Sequence, residues 1–283
     1  MILLSKEMPS DTFDLILAGD THYGTKMRSK SGVQTLLTNL KRPRTYCVFM
    51  GDAIESITGS DRRYDPDVSD GSTPLQQAEE VVSAFAPVSN RVVAWLSGNH
   101  ESTIKGVGNV VRETICKNLN VPYGTFSCRI NFTFKGSTMF RGLFHHGSGA
   151  INSQHPDPMV REAVQTYKLK QKLEPFGGDC ILNAMGHTHK LLVYKPVDEL
   201  YMRERRGQLE ANYTSGILPI MHELGYIEPS QRWYVNTGGF LKLYSKDPMS
   251  GYAETAMYKP IEIGYALVKV KAAKIIAVEK VYV

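Results

Sequence analysis

Five short blocks in this sequence concentrate carboxylate, imidazole and amide side chains. They are Asp20-Thr21-His22, Gly51-Asp52, Gly98-Asn99-His100, His146-Gly147 and Gly186-His187-Thr188-His189. Oxygen and neutral nitrogen donors without thiolate suit a divalent Mn, Fe, Zn or Ni ion rather than a structural zinc knot. The glycines permit sharp exits and close backbone approach at each block. A single Gly-Asp or Asp-x-His carries little information; the weight lies in the ordered set.

Each block stands at the end of an apolar run of strand length, so strands must position it. Phe13 to Ala18 leads to Asp20, Tyr46 to Met50 to Asp52, and Arg91 to Leu96 to Asn99. Met139 to Phe144 leads to His146, and Cys180 to Met185 to His187. Val33, Leu36, Leu37 and Leu40 recur at helical spacing between the first two runs, which makes a β-α-β unit closed by Pro43. Further helices are expected over Pro74 to Ala86 with Thr73 as cap, Gly108 to Leu119, and Pro158 to Leu173 behind Asp157. Ser127 to Phe134 alternates as a strand, and Leu191 to Lys195, Trp233 to Asn236, Glu262 to Val270 and Ile275 to Val283 read as further strands. In open α/β sheets the carboxyl ends of strands are where distant residues converge on a ligand.

In these blocks the sequence resembles the calcineurin-like metallophosphoesterase superfamily, whose motifs D-x-H, G-D, G-N-H-[DE], H-G and G-H-x-H occur here in the family's order from Asp20 to His189. Val235-Asn236-Thr237-Gly238-Gly239 is similar to the strand and turn that follow the last motif. The resemblance implies an α/β, four-layer α/β/β/α sandwich of two mixed sheets flanked by helices. It implies that Asp20, His22 and His189 hold one metal, that Asn99, His146 and His187 hold the other, and that Asp52 bridges both. It makes His100 the non-ligand histidine beside the phosphate, with Glu101 orienting its ring. Two cations about 3.5–4 Å apart need a shared anionic ligand and together acidify a bridging water. His146, directly before Gly147, is preferred over His145 as ligand; His155 and His222 match no block. Glu55 departs from the Asp that many members carry three residues after the bridging Asp.

The implied activity is hydrolysis of a phosphate ester by in-line attack of a metal-bridging hydroxide, with Mn as the expected metal and Fe, Zn or Ni as alternatives. A phosphodiesterase acting on nucleic acid or nucleotides is the preferred reading. The alternatives are a phosphomonoesterase acting on proteins or small molecules, and an inactive scaffold of the same fold. The lean toward nucleic acid comes from charge: 33 Lys and Arg against 28 Asp and Glu give 283 residues a net +5, and phosphate contacts use cations.

Two loops are expected to face substrate within one domain spanning 1–283. The polar stretch Ser56 to Thr73 offers Arg62 and Arg63, and the long connection Pro196 to Arg232 offers Arg203 and Arg205 among tyrosines. Lys26 to Lys30 and Lys41 to Arg44 are basic clusters, which are either solvated surface or a path for phosphate. With 42% hydrophobic and 22% charged residues the chain is neither disordered nor a coiled coil. Ile2-Leu3-Leu4 is too short for a signal-peptide core or a bilayer span. Cys47, Cys116, Cys128 and Cys180 form no C-x-x-C pair and read as reduced core residues. A cytoplasmic protein without a membrane partner is expected; the oligomeric state is not indicated.

Overall fold

The computed structural model describes residues 1–61, 63–104, 109–214, 225–244, 254 and 257–283. Strands β1 (Ile2–Glu7), β2 (Phe13–Ala18), β3 (Thr45–Phe49) and β4 (Val92–Trp95) come first. They are followed by β5 (Ser127–Phe134), β6 (Ser137–His145), β7 (Leu182–Met185), β8 (Leu191–Tyr194), β9 (Leu200–Arg205) and β10 (Gln208–Tyr213). The last are β11 (Trp233–Thr237), β12 (Gly264–Lys271) and β13 (Lys274–Tyr282). They build a six-stranded sheet in the order β1-β5-β6-β7-β11-β8 and a five-stranded sheet in the order β13-β12-β2-β3-β4. Both sheets are mixed: β2, β3 and β4 run parallel with β12 antiparallel to β2, and β6, β7 and β11 run parallel with β8 antiparallel to β11.

Alternation along the strands divides the core. Leu15 and Leu17 of β2, with Tyr46 and Val48 of β3, meet Cys128, Ile130, Phe132, Phe144 and Ala184 of the other sheet in one cluster. Ile16, Ala18, Cys47 and Phe49 point the opposite way, against helices α1 (Lys30–Leu40) and α2 (Pro74–Phe85). On the outer face of the six-stranded sheet, Leu169 and Leu173 of helix α5 (Pro158–Leu173) pack on Met185, Leu192 and Tyr234. The result is helix, sheet, sheet, helix, the expected layering. A fully buried Leu, Val or Phe of this interior contributes about 1.5–3 kcal/mol of transfer free energy, which holds the strand ends in register.

The helix ends follow their sequence signals. Thr73 caps α2 in a reciprocal capping box with Gln76, and Asp157 caps α5 through the backbone N–H groups of Met159 and Val160. The stretch expected to be helical from Gly108 to Leu119 starts outside the described residues; its described part is a π-helical segment, Val111–Cys116, running into helix α4 (Lys117–Leu119). A four-residue helix α3 (Asn99–Ser102) follows β4. The connection Pro196 to Arg232 is not a plain loop, because β9 and β10 pair antiparallel within it. No strand was expected before Phe13, yet β1 adds to the edge of the six-stranded sheet beside β5. All four cysteines are buried and unpaired. No helix among the described residues is long and apolar enough to cross a membrane.

Candidate metal centre

The loops leaving β2, β3, β4, β6 and β7 meet at one edge of the two sheets. The backbone continues to zip beyond the strands: Asp20 N–H donates to the Gly51 carbonyl at 2.8 Å, Tyr23 N–H to Ala53 at 2.8 Å, and Glu55 N–H to Tyr23 at 2.7 Å. Gly186 N–H donates to His146 at 2.9 Å in the other sheet, and Phe240 N–H donates to Asp20 at 2.9 Å. These bonds hold unusual dihedrals. Asp20, His22, Asp52, His187 and His189 all have positive φ, between 48° and 68°, in a region that costs a non-glycine residue roughly 1–3 kcal/mol. Five such residues in one cluster mark a site whose geometry overrides local preference.

Side chains converge there in two adjoining groups. Asp20, His22 and His189 form one; Asp52, His146 and His187 form the other. In the first, His22 Nε2 lies 3.2 Å from His189 Nε2, and His189 Nε2 lies 3.2 Å from Asp20 Oδ1. Asp20 Oδ1 is buried and receives no hydrogen bond among the described residues. In the second, His146 Nε2 faces Asp52 Oδ2 at 3.3 Å and Asn99 Oδ1 at 2.9 Å, while His187 Nδ1 lies 2.6 Å from the same amide oxygen. Asp52 Oδ1 accepts from the His100 N–H at 2.9 Å.

The remaining ring atoms settle the tautomers. His22 Nδ1 lies 2.8 Å from Glu55 Oε2 and His146 Nδ1 lies 2.7 Å from the Met50 carbonyl, which can only accept. Each Nδ1 therefore carries a hydrogen, which leaves Nε2 to face the cluster: His22 Nε2 faces His189 Nε2, and His146 Nε2 faces the Asp52 and Asn99 oxygens. Lone pairs facing lone pairs in a buried site repel unless a cation sits among them. An orphaned carboxylate oxygen, oriented imidazoles and an all-O/N donor set fit a pair of divalent metal ions.

The electrostatics agree. Burial opposes charge on Asp52, yet the hydrogen bond and charge of His146, with His100 and His22 beyond, hold its carboxyl well below the ordinary range. Burial likewise opposes a proton on His146, but Asp52 lifts it to about 9. In the absence of metal, a proton takes the place of the cation. Burial pushes His187 down; it also opposes a proton on His189, where the charge and hydrogen bond of Asp20, with the charges of Asp52 and Glu55, together raise it.

Glycine makes room for this packing. A Cβ on Gly98 would lie 2.0 Å from Asp52 Oδ1, and one on Gly51 would lie 2.7 Å from His146 Nδ1. His145 points away from the cluster, accepting from the Gly147 N–H at 2.7 Å, and His155 is exposed; His222 lies outside the described residues.

One acidic residue is placed differently from expectation, and a second takes its expected role. Glu101 does not orient the His100 ring. Its buried carboxylate accepts N–H groups of Ala53 at 2.6 Å, Gly98 at 2.7 Å, Asp52 at 3.2 Å and Ile54 at 3.3 Å, so it ties the loop after β3 to the loop after β4. The ring is positioned instead through Glu55. His100 Nδ1 donates to the Glu55 carbonyl at 2.6 Å, with Glu55 Oε1 at 3.9 Å, while the other carboxylate oxygen holds His22. The sequence signal for this was the spacing of Glu55 three residues after Asp52.

The four arginines proposed for substrate part company. Arg62 lies outside the described residues. Arg63 makes a bidentate pair with Asp61, at 2.7 and 3.1 Å, on the loop 56–73. That loop is pinned to the segment after His22 by bonds such as Lys26 N–H to the Val68 carbonyl at 2.9 Å. Asp61 raises the Arg63 guanidinium, with smaller contributions from Glu55 and Asp52. Arg203 and Arg205 sit on β9, facing Glu210 of β10 at 3.7 and 3.9 Å. β8 has by then carried the chain from the His189 end of the sheet to the other, where Tyr194 pairs with Tyr234 at the start of β11.

No family model and no curated protein matches the sequence. Among solved structures the chain is similar to a metallophosphoesterase from Sphaerobacter thermophilus, at 14% identity and a TM-score of 0.40, over 96% of this chain and 90% of that one. It is also similar to GAP50, the anchor in the inner membrane complex of Plasmodium, at 13% identity and a TM-score of 0.36, over 96% and 89%. A third likeness is to the Haemophilus influenzae NAD nucleotidase NadN, at 13% identity and a TM-score of 0.38, over 95% and 49%. These likenesses are slight. Two mixed sheets face to face, helices outside, and paired Asp/His groups at the shared strand ends are the arrangement that the motif resemblance implied.

Proposed function

We propose that this chain is a binuclear metal-dependent phosphoesterase, and that it cleaves phosphodiesters of nucleic acid or nucleotides. The observation that carries the reading is the pair of adjoining clusters, Asp20-His22-His189 and Asp52-His146-His187, with Asn99 between His146 and His187. In this reading the first group and the second group with Asn99 each hold one cation, and Asp52 is shared. Bound cations supply Lewis-acid stabilisation of the phosphoryl oxygens and acidify the water that attacks phosphorus.

The chain's own groups do the rest. His100 is half-buried beside Asp52, with Nδ1 committed to the Glu55 carbonyl. Its Nε2 is then free to carry a proton toward the leaving oxygen, and the Glu55 carboxylate supports the imidazolium. Asp52 stays ionised at neutral pH under the influence of its histidines. Arg63, on the loop pinned beside His22, supplies a cation for a substrate phosphate, and the net charge of +5 favours a polyanion.

The test is parallel assay of Mn-loaded protein on bis-p-nitrophenyl phosphate, p-nitrophenyl phosphate, single- and double-stranded DNA and cyclic nucleotides. Diester turnover is expected, reduced at least about 100-fold by His100→Ala and abolished by Asp52→Asn with the fold intact by circular dichroism. Activity on the monoester alone would establish a phosphomonoesterase instead. Unchanged hydrolysis in both variants would sink the mechanism.

A further inference from the structure

Members of the two basic clusters flanking α1 line one cavity. Arg28 and Lys30 precede or open the helix, Lys41 closes it, and all three line a cavity of about 340 Å³ between α1 and α2. Glu80 of α2 is the only carboxylate among the lining residues, so three cations face one anion. Val33 and Leu37 of α1 and Ala84 of α2 give the same cavity an apolar wall.

Arg28 is the unusual member. Its side chain is only 9% exposed, its guanidinium carbon lies 3.7 Å over the Tyr23 ring, and Nη2 donates to Glu80 Oε1 at 2.8 Å. Nε and Nη1 are buried and have no hydrogen-bond partner among the described residues. A buried guanidinium with idle donors is costly, because each N–H has given up water and received nothing in return. Glu80 is exposed on its helix and free to swing to solvent, so its carboxylate marks where a competing anion would enter.

We propose that the cavity between α1 and α2 is a second anion site, separate from the candidate metal centre, which takes a phosphate group at Arg28, with Lys30 and Lys41 at the two ends of α1 adding positive potential. The excess of two positive charges matches a phosphate dianion better than a monocarboxylate. The apolar wall of Val33, Leu37 and Ala84 leaves room for a small organic substituent on that phosphate.

The test is calorimetric titration of inorganic phosphate into the chelator-treated full chain, with acetate as the second probe. One saturable phosphate site is expected, weakened at least tenfold by Arg28→Gln, weakened severalfold by Lys41→Ala and tightened by Glu80→Gln. Glu80 and Lys41 are exposed, so their substitutions keep the test decisive where Arg28→Gln fails to fold. Absence of saturable binding, or an affinity that neither Glu80→Gln nor Lys41→Ala changes, overturns the proposal. Acetate binding as tightly as phosphate overturns the choice of a dianion.

Discussion

Glu55 links two histidines with different work. One carboxylate oxygen fixes the hydrogen on His22 Nδ1, and the backbone carbonyl fixes the one on His100 Nδ1. Partners of this kind set ligand orientation and basicity, and their loss costs about 10–100-fold in metal affinity. Glu55→Ala is therefore expected to weaken Mn binding by that factor while the fold is retained, read by metal titration. Glu55→Gln should recover part of the loss, since the amide oxygen still accepts from His22. His146 makes a second prediction. Its proton, held to about 9 by Asp52 against burial, stabilises the metal-free fold fully below its ordinary value of 6.5. That contribution fades as pH rises through about 9. The Tm of the chelator-treated chain is expected to fall across this window, and Mn, which replaces the proton, should flatten the fall. A Tm profile unaltered by Mn would contradict the assignment.

At the scale of elements, the short loops after the strands matter more than the strands themselves. The Glu101 carboxylate clamps the loops after β3 and β4 through four backbone N–H groups, and Gly98 lets Asp52 approach that clamp. A Gly98→Ala Cβ would overlap Asp52 Oδ1 at 2.0 Å. The backbone there must shift, so Gly98→Ala should lower metal stoichiometry and activity at least about tenfold while leaving the helical and sheet circular dichroism unchanged. Retained metal content would show that the loop has slack. The β9–β10 hairpin illustrates the opposite case. Its strands interleave exposed Leu200, Met202, Leu209 and Tyr213 with Tyr201, Arg203, Glu210 and Asn212, a period-2 pattern within a stretch whose length suggested a loop. Strand β1 was missed because its residues are largely exposed, so burial left little periodic signal in them.

Across the whole molecule, most of the strands and helices were legible from apolar runs and helical spacing, while their stacking as two facing sheets with helices outside was implied by the motif resemblance. The interior is built from the very residues that made those patterns: Leu15, Leu17 and Val48 between the sheets, and Ile16, Cys47 and Phe49 under α1 and α2. The convergence of the Asp, Asn and His blocks was legible for a related reason. Each lies one to four residues beyond a strand, and parallel strands must bring their carboxyl ends to the same edge. Sequence thus determined the strand ends and the donor types, since these depend on local spacing and on burial period. Tertiary structure alone decided which atoms face one another. It gave Glu55 rather than Glu101 to His100, paired Arg203 and Arg205 with Glu210, and set Arg28 in a cavity with Lys30 and Lys41. Side-chain direction and pairing depend on contacts between segments far apart in the chain, and no local pattern encodes them.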